Sequence, residues 1–310
     1  RVRHMDYGVQ FNKLMYERLM AGGNITLFSP HDVPGLYDAF FADQDEFKRL
    51  YEQAERKTSI RKKVISATEL FSAFMQERKD TGRIYLQNVD HANEHSSFKT
   101  EVAPIKQSNL CCEIDLPTKP LNDINDPNGE IALCTLSAVN WGSFKNPEDM
   151  EKACTLAVRG LDALLSYQNY PIIAAQMATE NRRPLGVGII NLAFFLAKND
   201  VSYSNPDALK LVDTWAQHWS YYLIKASADL AVEFGACPKN NETKYSDGVL
   251  PLDTYKKDVD ELVVHIDCVD WTGLRAQLRE TGIRNSTLMA LMPAETSAQI
   301  SNSTNGIEPP

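Results

Sequence analysis

Segments with apolar residues at helical spacing alternate along this chain with short, continuous apolar runs, and no other feature restricts the fold as strongly. Phe11, Leu14, Met15 and Leu19 recur at the spacing of a helix packed on one side, Gly22-Gly23 ends it, and Ile25-Thr26-Leu27-Phe28 follows as a short buried strand. Helices are predicted over residues 38–55 and 60–78, the second with Val64, Ala67, Phe71, Phe74 and Met75 facing inward and Gly82 as its stop. Ile84-Tyr85-Leu86 reads as a strand and residues 88–107 as a polar loop. Pro147 and the acids beside it open a helix that reaches about Tyr167, with Cys154, Val158, Leu161 and Leu165 on its apolar face. Residues 185–197 read as a buried helix, Pro206 begins a long one closed by Gly235, and residues 271–280 form another ended by Gly282. Residues 287–292 read as a buried strand. Such alternation points to a parallel-strand α/β architecture rather than separate all-α and all-β parts. No repeat and no interdomain linker interrupts it.

The chain's 310 residues suit one large α/β domain or two ordinary ones, and a hydrophobic content of 43% supports a sizeable core. Lys and Arg number 32 against 41 Asp and Glu, and the resulting charge of −9 argues against a broad basic surface for DNA or RNA. Single nucleotides remain open, because N–H groups at a helix N-terminus hold phosphate without a basic surface. The longest apolar stretch, residues 185–197, falls short of the roughly 20 residues that a membrane span needs. Six cysteines in this length are not a disulfide scaffold, and no CxxC or paired Cys/His spacing suggests structural zinc, so a reducing, cytoplasmic setting is expected. His91 and His95 are four apart but lack the glutamate placement of a zinc-protease motif, and no metal site is expected there. The first residue is not Met, no signal-peptide core follows, and the last residues stop straight after a motif-rich segment. The chain therefore reads as an internal piece of a longer polypeptide.

Chemistry concentrates in Asn109-Leu110-Cys111-Cys112-Glu113 and in a third thiol, Cys134, within Ala132-Leu133-Cys134-Thr135-Leu136. On an extended segment Asn109, Cys111 and Glu113 share one face and Cys112 takes the other. An amide, a sulfur able to carry a thiolate or a radical, and a base then line one surface, with Cys134 as a possible redox partner. The competing reading is a buried strand whose cysteines act as small hydrophobes. Cys154 reads as core, and Cys237 and Cys268 receive no role. Gly186-Val187-Gly188 lacks a third glycine and a preceding strand, so a dinucleotide fingerprint is discounted. Pro293-Ala294-Glu295-Thr296-Ser297 follows a predicted strand and opens a helix. Either a phosphate cradle or an ordinary capped helix fits that arrangement.

Three longer stretches, residues 107–113, 116–123 and 132–137, closely resemble the large catalytic subunit of class I ribonucleotide reductases. Asn24-Ile25-Thr26-Leu27-Phe28-Ser29-Pro30-His31-Asp32-Val33-Pro34 and the run from Met292-Pro293-Ala294-Glu295-Thr296-Ser297 to Asn305-Gly306-Ile307-Glu308-Pro309-Pro310 match too, so the similarity spans essentially the whole chain. The resemblance implies a ten-stranded α/β barrel of two parallel halves, with residues 1–310 as part of that single catalytic domain and a central finger loop carrying a radical cysteine. The N-terminal nucleotide-binding cone and the C-terminal tail lie outside it. By motif position Cys111 becomes a thiyl radical and takes hydrogen from C3′ of a ribonucleoside diphosphate, Glu113 accepts the 3′-hydroxyl proton, and Ser108, Asn109 and Glu113 hold the substrate. Cys134 is one member of a dithiol oxidised to a disulfide, its partner lying upstream of residue 1. Pro293, Ala294, Glu295, Thr296 and Ser297 form the substrate phosphate loop, Glu295 acting through its N–H because its charge opposes a diphosphate. No cofactor is bound by this chain itself; a metal-containing small (beta) subunit supplies the radical and thioredoxin or glutaredoxin the reducing equivalents. A homodimer is implied for the full-length form. Cys112 departs from the pattern, which carries an aliphatic residue there, and alternation assigns the radical to Cys111. Asp115 and Trp141 are also unusual and have no sequence-level account. Two rival readings are a nucleotide-binding remnant with a regulatory or structural role and a thiol hydrolase, which needs a histidine base near Cys111.

Overall fold

Three helices in the amino-terminal part of the chain start where Asn12, Asp43 and Ser66 supply a side-chain hydrogen-bond partner that the backbone lacks. In the computed structural model, which describes residues 5–310, the chain divides into two units between Pro117 and Thr118. In the first, β1 (Tyr7–Phe11) ends at Asn12, whose side chain accepts from the Met15 N–H and opens α1 (Lys13–Met20). After β2 (Asn24–Phe28) come α2 (Leu36–Ala42) and α3 (Gln44–Arg56). The Asp43 carboxylate accepts from the N–H groups of Asp45 and Glu46, so the single helix expected over residues 38–55 is two.

The helix expected over residues 60–78 is corrected as well. Its start is a strand, β3 (Lys62–Ser66), antiparallel to β2 with Asn24 opposite Ser66, and Val64, assigned to the inward stripe, is exposed. Val64 lies three residues before Ala67, so helical spacing arises there by coincidence across a strand and a helix. Ser66 caps α4 (Ala67–Thr81), and Gly82 stops it in the left-handed conformation at φ 65°. Then β4 (Ile84–Asn88) runs parallel to β1, with Gln10 opposite Gln87. The stretch read as loop around His91 and His95 is helical, α5 (Val89–His95), because Asn93 is buried and ties that turn to Ile105. Phe11, Met15, Ile25, Ala67 and Phe74 form one core of this unit; Leu14, Leu36, Phe47, Tyr51 and their neighbours form another.

In the second unit β5 (Leu136–Asn140) precedes α6 (Glu151–Tyr167) and α7 (Ile173–Arg182). The buried helix expected over residues 185–197 is instead a strand followed by a helix. Gly186–Ile190 is β6, buried at all five positions and parallel to β5, and Asn191 at φ 68° turns the chain into α8 (Leu192–Lys198). A continuous apolar run carries no periodicity to separate a buried strand from a buried helix. The long helix α9 (Pro206–Phe234) starts at Pro206 and ends at Gly235 as expected, and α10 (Pro251–Thr254), α11 (Trp271–Thr281) and α12 (Thr296–Ile300) follow. Residues 287–292 run beside β6, through a parallel bridge between Val187 and Met289 and bonds from the Leu185 and Val187 N–H groups to the Thr287 and Leu288 carbonyls.

Helix α6 packs on β5 and on α9, and Cys154, Val158, Leu161 and Leu165 of α6 share one core with Trp215, Trp219, Leu223 and Ile224 of α9 and with Met150 just before α6. Each fully buried large apolar side chain contributes about 1.5–3 kcal/mol. Trp141 is fully buried among them, against Phe195 and Trp215, which accounts for that residue as packing. The Cys154 thiol is pushed up to about 12 by burial, and the core reading of it holds. Among the described residues the strands form three pairs, β1 with β4, β2 with β3 and β5 with β6, and no closed barrel. No helix among them is long and apolar enough to cross a membrane.

Candidate active site

Residues 107–115 do not form the extended segment expected. Ser108 and Asp115 face each other in an antiparallel bridge, and between them the chain reverses: the Cys112 N–H donates to the Asn109 carbonyl at 3.2 Å, with Cys112 at φ 59°. The reversal follows from Asn109. Its Oδ1 accepts from the Ile114 N–H at 3.4 Å, and its Nδ2 donates to Glu113 Oε1 at 2.6 Å. Face alternation therefore cannot separate Cys111 from Cys112, and both are exposed on the turn. What survives is the convergence of Ser108, Asn109 and Glu113 around a turn that carries Cys111. The Cys112 thiol is pushed up by partial covering of its sulfur and by the carboxylates of Asp115 and Glu113, which outweigh a hydrogen bond with Ser108. It stays protonated near neutral pH.

Cys134 belongs to the second unit. It was expected on a strand but lies in an irregular segment two residues before β5, where it is exposed. The Thr135 carbonyl accepts from the Gly186 N–H at 2.9 Å, which fixes the residue after Cys134 to the start of β6. Four residues before Cys134, buried Glu130 is ion-paired to Arg182 and Lys239, so this segment is anchored on its other side too.

The stretch from Pro293 to Ser297 lies beyond the carboxyl ends of β5 and β6. In parallel α/β folds that end of the strands is where ligands bind. Glu295 has φ 43°, and Thr296 and Ser297 are exposed at the start of α12. The Glu295 N–H, expected to face a phosphate, donates to Asn305 Oδ1 at 2.5 Å. Sequence reading missed Asn140 and Asn191, which hold this loop. Asn191 exchanges bonds with Thr304 through its N–H and its Oδ1, its Nδ2 reaches Asn140 Oδ1 at 3.0 Å, and Asn140 Nδ2 reaches Ser303. The only signal in the sequence was an asparagine after an apolar run, a residue that tolerates the left-handed conformation. Gly188 is explained by closeness: a Cβ there would meet the Ala290 carbonyl at 2.7 Å and the Met292 sulfur.

The first unit thus presents a thiol-bearing turn with an amide and a carboxylate, and the second a hydroxyl-bearing loop at the ends of parallel strands. Over residues 1–310 the chain matches the family described as ribonucleotide reductase, barrel domain, and it belongs to that family.

Among relatives, it is 61% identical over 310 residues to the ribonucleoside-diphosphate reductase subunit alpha of Haemophilus influenzae and 61% identical over 310 residues to the ribonucleoside-diphosphate reductase 1 subunit alpha of Escherichia coli K12. It is 51% identical over 314 residues to the ribonucleoside-diphosphate reductase subunit alpha of Enterobacteria phage T4. Each match covers 100% of this chain, which spans 41% of the length of each of these relatives.

Proposed function

We propose that this chain is part of the catalytic barrel of a ribonucleoside-diphosphate reductase large subunit, and that its parallel strand pairs are arcs of a ten-stranded barrel with residues 107–115 as the finger loop. The single observation that carries the reading is the bond of 2.6 Å between Asn109 Nδ2 and Glu113 Oε1 across the turn bearing Cys111. It supports the reading by joining an amide and an acid across the turn that carries Cys111, and sugar deoxygenation requires an amide, an acid and a sulfur.

Hydroxide is a poor leaving group, so removing a 2′-hydroxyl needs a radical at the neighbouring carbon together with acid–base help, all within contact distance. Cys111 as thiyl takes the C3′ hydrogen. Glu113 accepts the 3′-hydroxyl proton, and Asn109 holds the sugar. The 2′-hydroxyl leaves as water with a proton from one thiol of a dithiol that includes Cys134; the other thiol's hydrogen goes to C2′, the dithiol closes to a disulfide having given two electrons, Glu113 returns its proton to the 3′-oxygen, and the hydrogen returns to C3′ from Cys111. Thr296 and Ser297 offer hydroxyls to the diphosphate. Within this proposal a metal-containing small subunit initiates the radical, a thioredoxin-type protein restores the dithiol, the large subunit pairs with itself, and the setting is cytoplasmic.

The test uses the full-length protein with its radical-supplying partner. Cys111→Ser abolishes deoxynucleotide formation while Cys112→Ser leaves most of it, and Glu113→Gln lowers kcat by about 10²–10⁴-fold. Turnover that survives Cys111→Ser but is lost with Cys112→Ser overturns the assignment.

A further inference from the structure

We propose that Asp115, through Gln87 and Gln10, is a positioning residue that fixes the thiol-bearing turn to the β1/β4 pair. Gln87 Nε2 on β4 donates to Asp115 Oδ1 at 3.0 Å, where the turn exits. Gln87 Oε1 accepts from Gln10 Nε2 at 2.8 Å, and Gln10 is the residue opposite Gln87 in the parallel register. The same Gln10 amide donates to the Lys106 carbonyl at 2.6 Å, where the turn is entered. One chain of carboxamides thus grips both stems of the loop, and the Ser108–Asp115 bridge closes it above that grip.

The grip acts beside buried Ile105, Ile114 and Leu116, which pack the stems of the loop. A cavity of about 410 Å³, lined by Gln10, Gln87, Ser108, Asn109 and Cys112 among others, opens between the loop and the strands. On the side facing this cavity, hydrogen bonds hold the stems of the turn that carries Cys111 and Glu113. Burial, and the nearby Glu113 charge, push the Asp115 carboxyl up in spite of the Ser108 and Gln87 bonds, so this is a desolvated contact whose loss solvent does not cheaply replace. The inference accounts for an acid that the family motif does not explain, and it rests on Cys111 being the reacting sulfur.

The experiment compares Asp115→Ala, Gln87→Ala, the double variant and Asp115→Asn in the full-length protein with its radical-supplying partner. Each alanine variant is expected to lower kcat by about 10–100-fold with KM for the ribonucleoside diphosphate within about twofold, the scale of a misplaced reacting group. Because the residues act as one chain, the double variant loses no more than the worse single. Asp115→Asn, whose Oδ1 still accepts from Gln87, recovers turnover to within about threefold of the parent, which a charge-based role does not allow. If Asp115→Ala does not fold, Gln10→Ala breaks the same chain from its other end and carries the same expectation. Parental kcat in the alanine variants, or fully multiplicative losses in the double, overturns the proposal while Cys111→Ser stays inactive. A live Cys111→Ser variant overturns the underlying assignment instead.

Discussion

Glu130 is the residue whose removal has the most calculable consequence. It is 5% exposed, Arg182 is 4% exposed, and they meet at 2.5 Å between Oε2 and Nη1. Lys239 Nζ lies 2.6 Å from the other oxygen, and Arg182 also pairs with Glu242 at 2.7 Å. Glu130→Ala leaves buried Arg182 and partly exposed Lys239 sharing the one remaining carboxylate of Glu242, and stranding a buried charge such as Arg182 costs about 3–5 kcal/mol. With a urea slope of about 2–3 kcal/mol/M, the unfolding midpoint falls by roughly 1–2 M. All four tryptophans of the chain lie between Trp141 and Trp271 in the same unit, so their emission reads the transition. Glu130→Gln keeps the volume and one acceptor, and loses about 1.5–3 kcal/mol. The pH dependence follows from the carboxyl's shift: burial alone raises it, but the hydrogen bonds from Lys239 and Arg182 prevail and hold it below the usual carboxylate range. A depressed folded pKa gives stabilisation that is present above the unfolded value of about 4.3 and disappears as pH falls through the folded one. The gap between parent and Glu130→Gln is therefore flat above about pH 5 and closes only in acid. A Glu130→Ala variant within about 0.5 kcal/mol of the parent, the range of an ordinary surface change, refutes the reasoning.

Two further expectations concern the site. Asn191→Ala removes the side-chain bonds to Thr304 and Asn140 that hold the loop after β6, so KM for the ribonucleoside diphosphate rises severalfold while kcat changes little; an unchanged KM counts against the loop as a phosphate site. Alkylation of the native protein, mapped by peptide mass, modifies Cys111, Cys112, Cys134 and Cys268 and spares Cys154 and Cys237, both buried with thiols pushed up to about 12. Rapid labelling of Cys154 contradicts its place in the α6–α9 core.

Helix ends were legible in the sequence because their signals are local. Pro147, Pro206, Gly82, Gly235 and Gly282 each mark the boundary expected of them. Strands were less so. Lys62–Ser66 and Gly186–Ile190 both read as helix, since what makes them strands is a partner some 40 or 50 residues away. The site shows the same divide. Asn109, Cys111, Glu113 and Cys134 stand out by residue type, but the reversal at Cys112 depends on a side-chain bond that no periodicity encodes. Gln10, Gln87 and Asn140 were invisible for a related reason: a polar residue inside a strand carries no sign of which loop it will hold.

Those hidden residues share one physical device. A carboxamide offers a donor and an acceptor side by side, as a peptide group does, so an Asn or Gln can stand in for a missing neighbour strand. Asn93 accepts from the Ile105 N–H and donates to the Ile105 carbonyl, reproducing both bonds of a ladder pair. Gln217 does the same for two residues, donating to the Ile266 carbonyl and accepting from the Cys268 N–H. Asn109 and Asn191 each accept from one backbone N–H, of Ile114 and Thr304, and donate to a side chain, holding the thiol-bearing turn and the loop packed on β6 respectively. An irregular loop built this way has its backbone satisfied without joining a sheet, leaving its outward side chains free of the pleat. Aspartate, which lacks the donor when ionised, is a worse replacement at these positions than its size suggests. That holds most strongly for Asn109, where a second carboxylate would face Glu113 at hydrogen-bond distance and push the turn open.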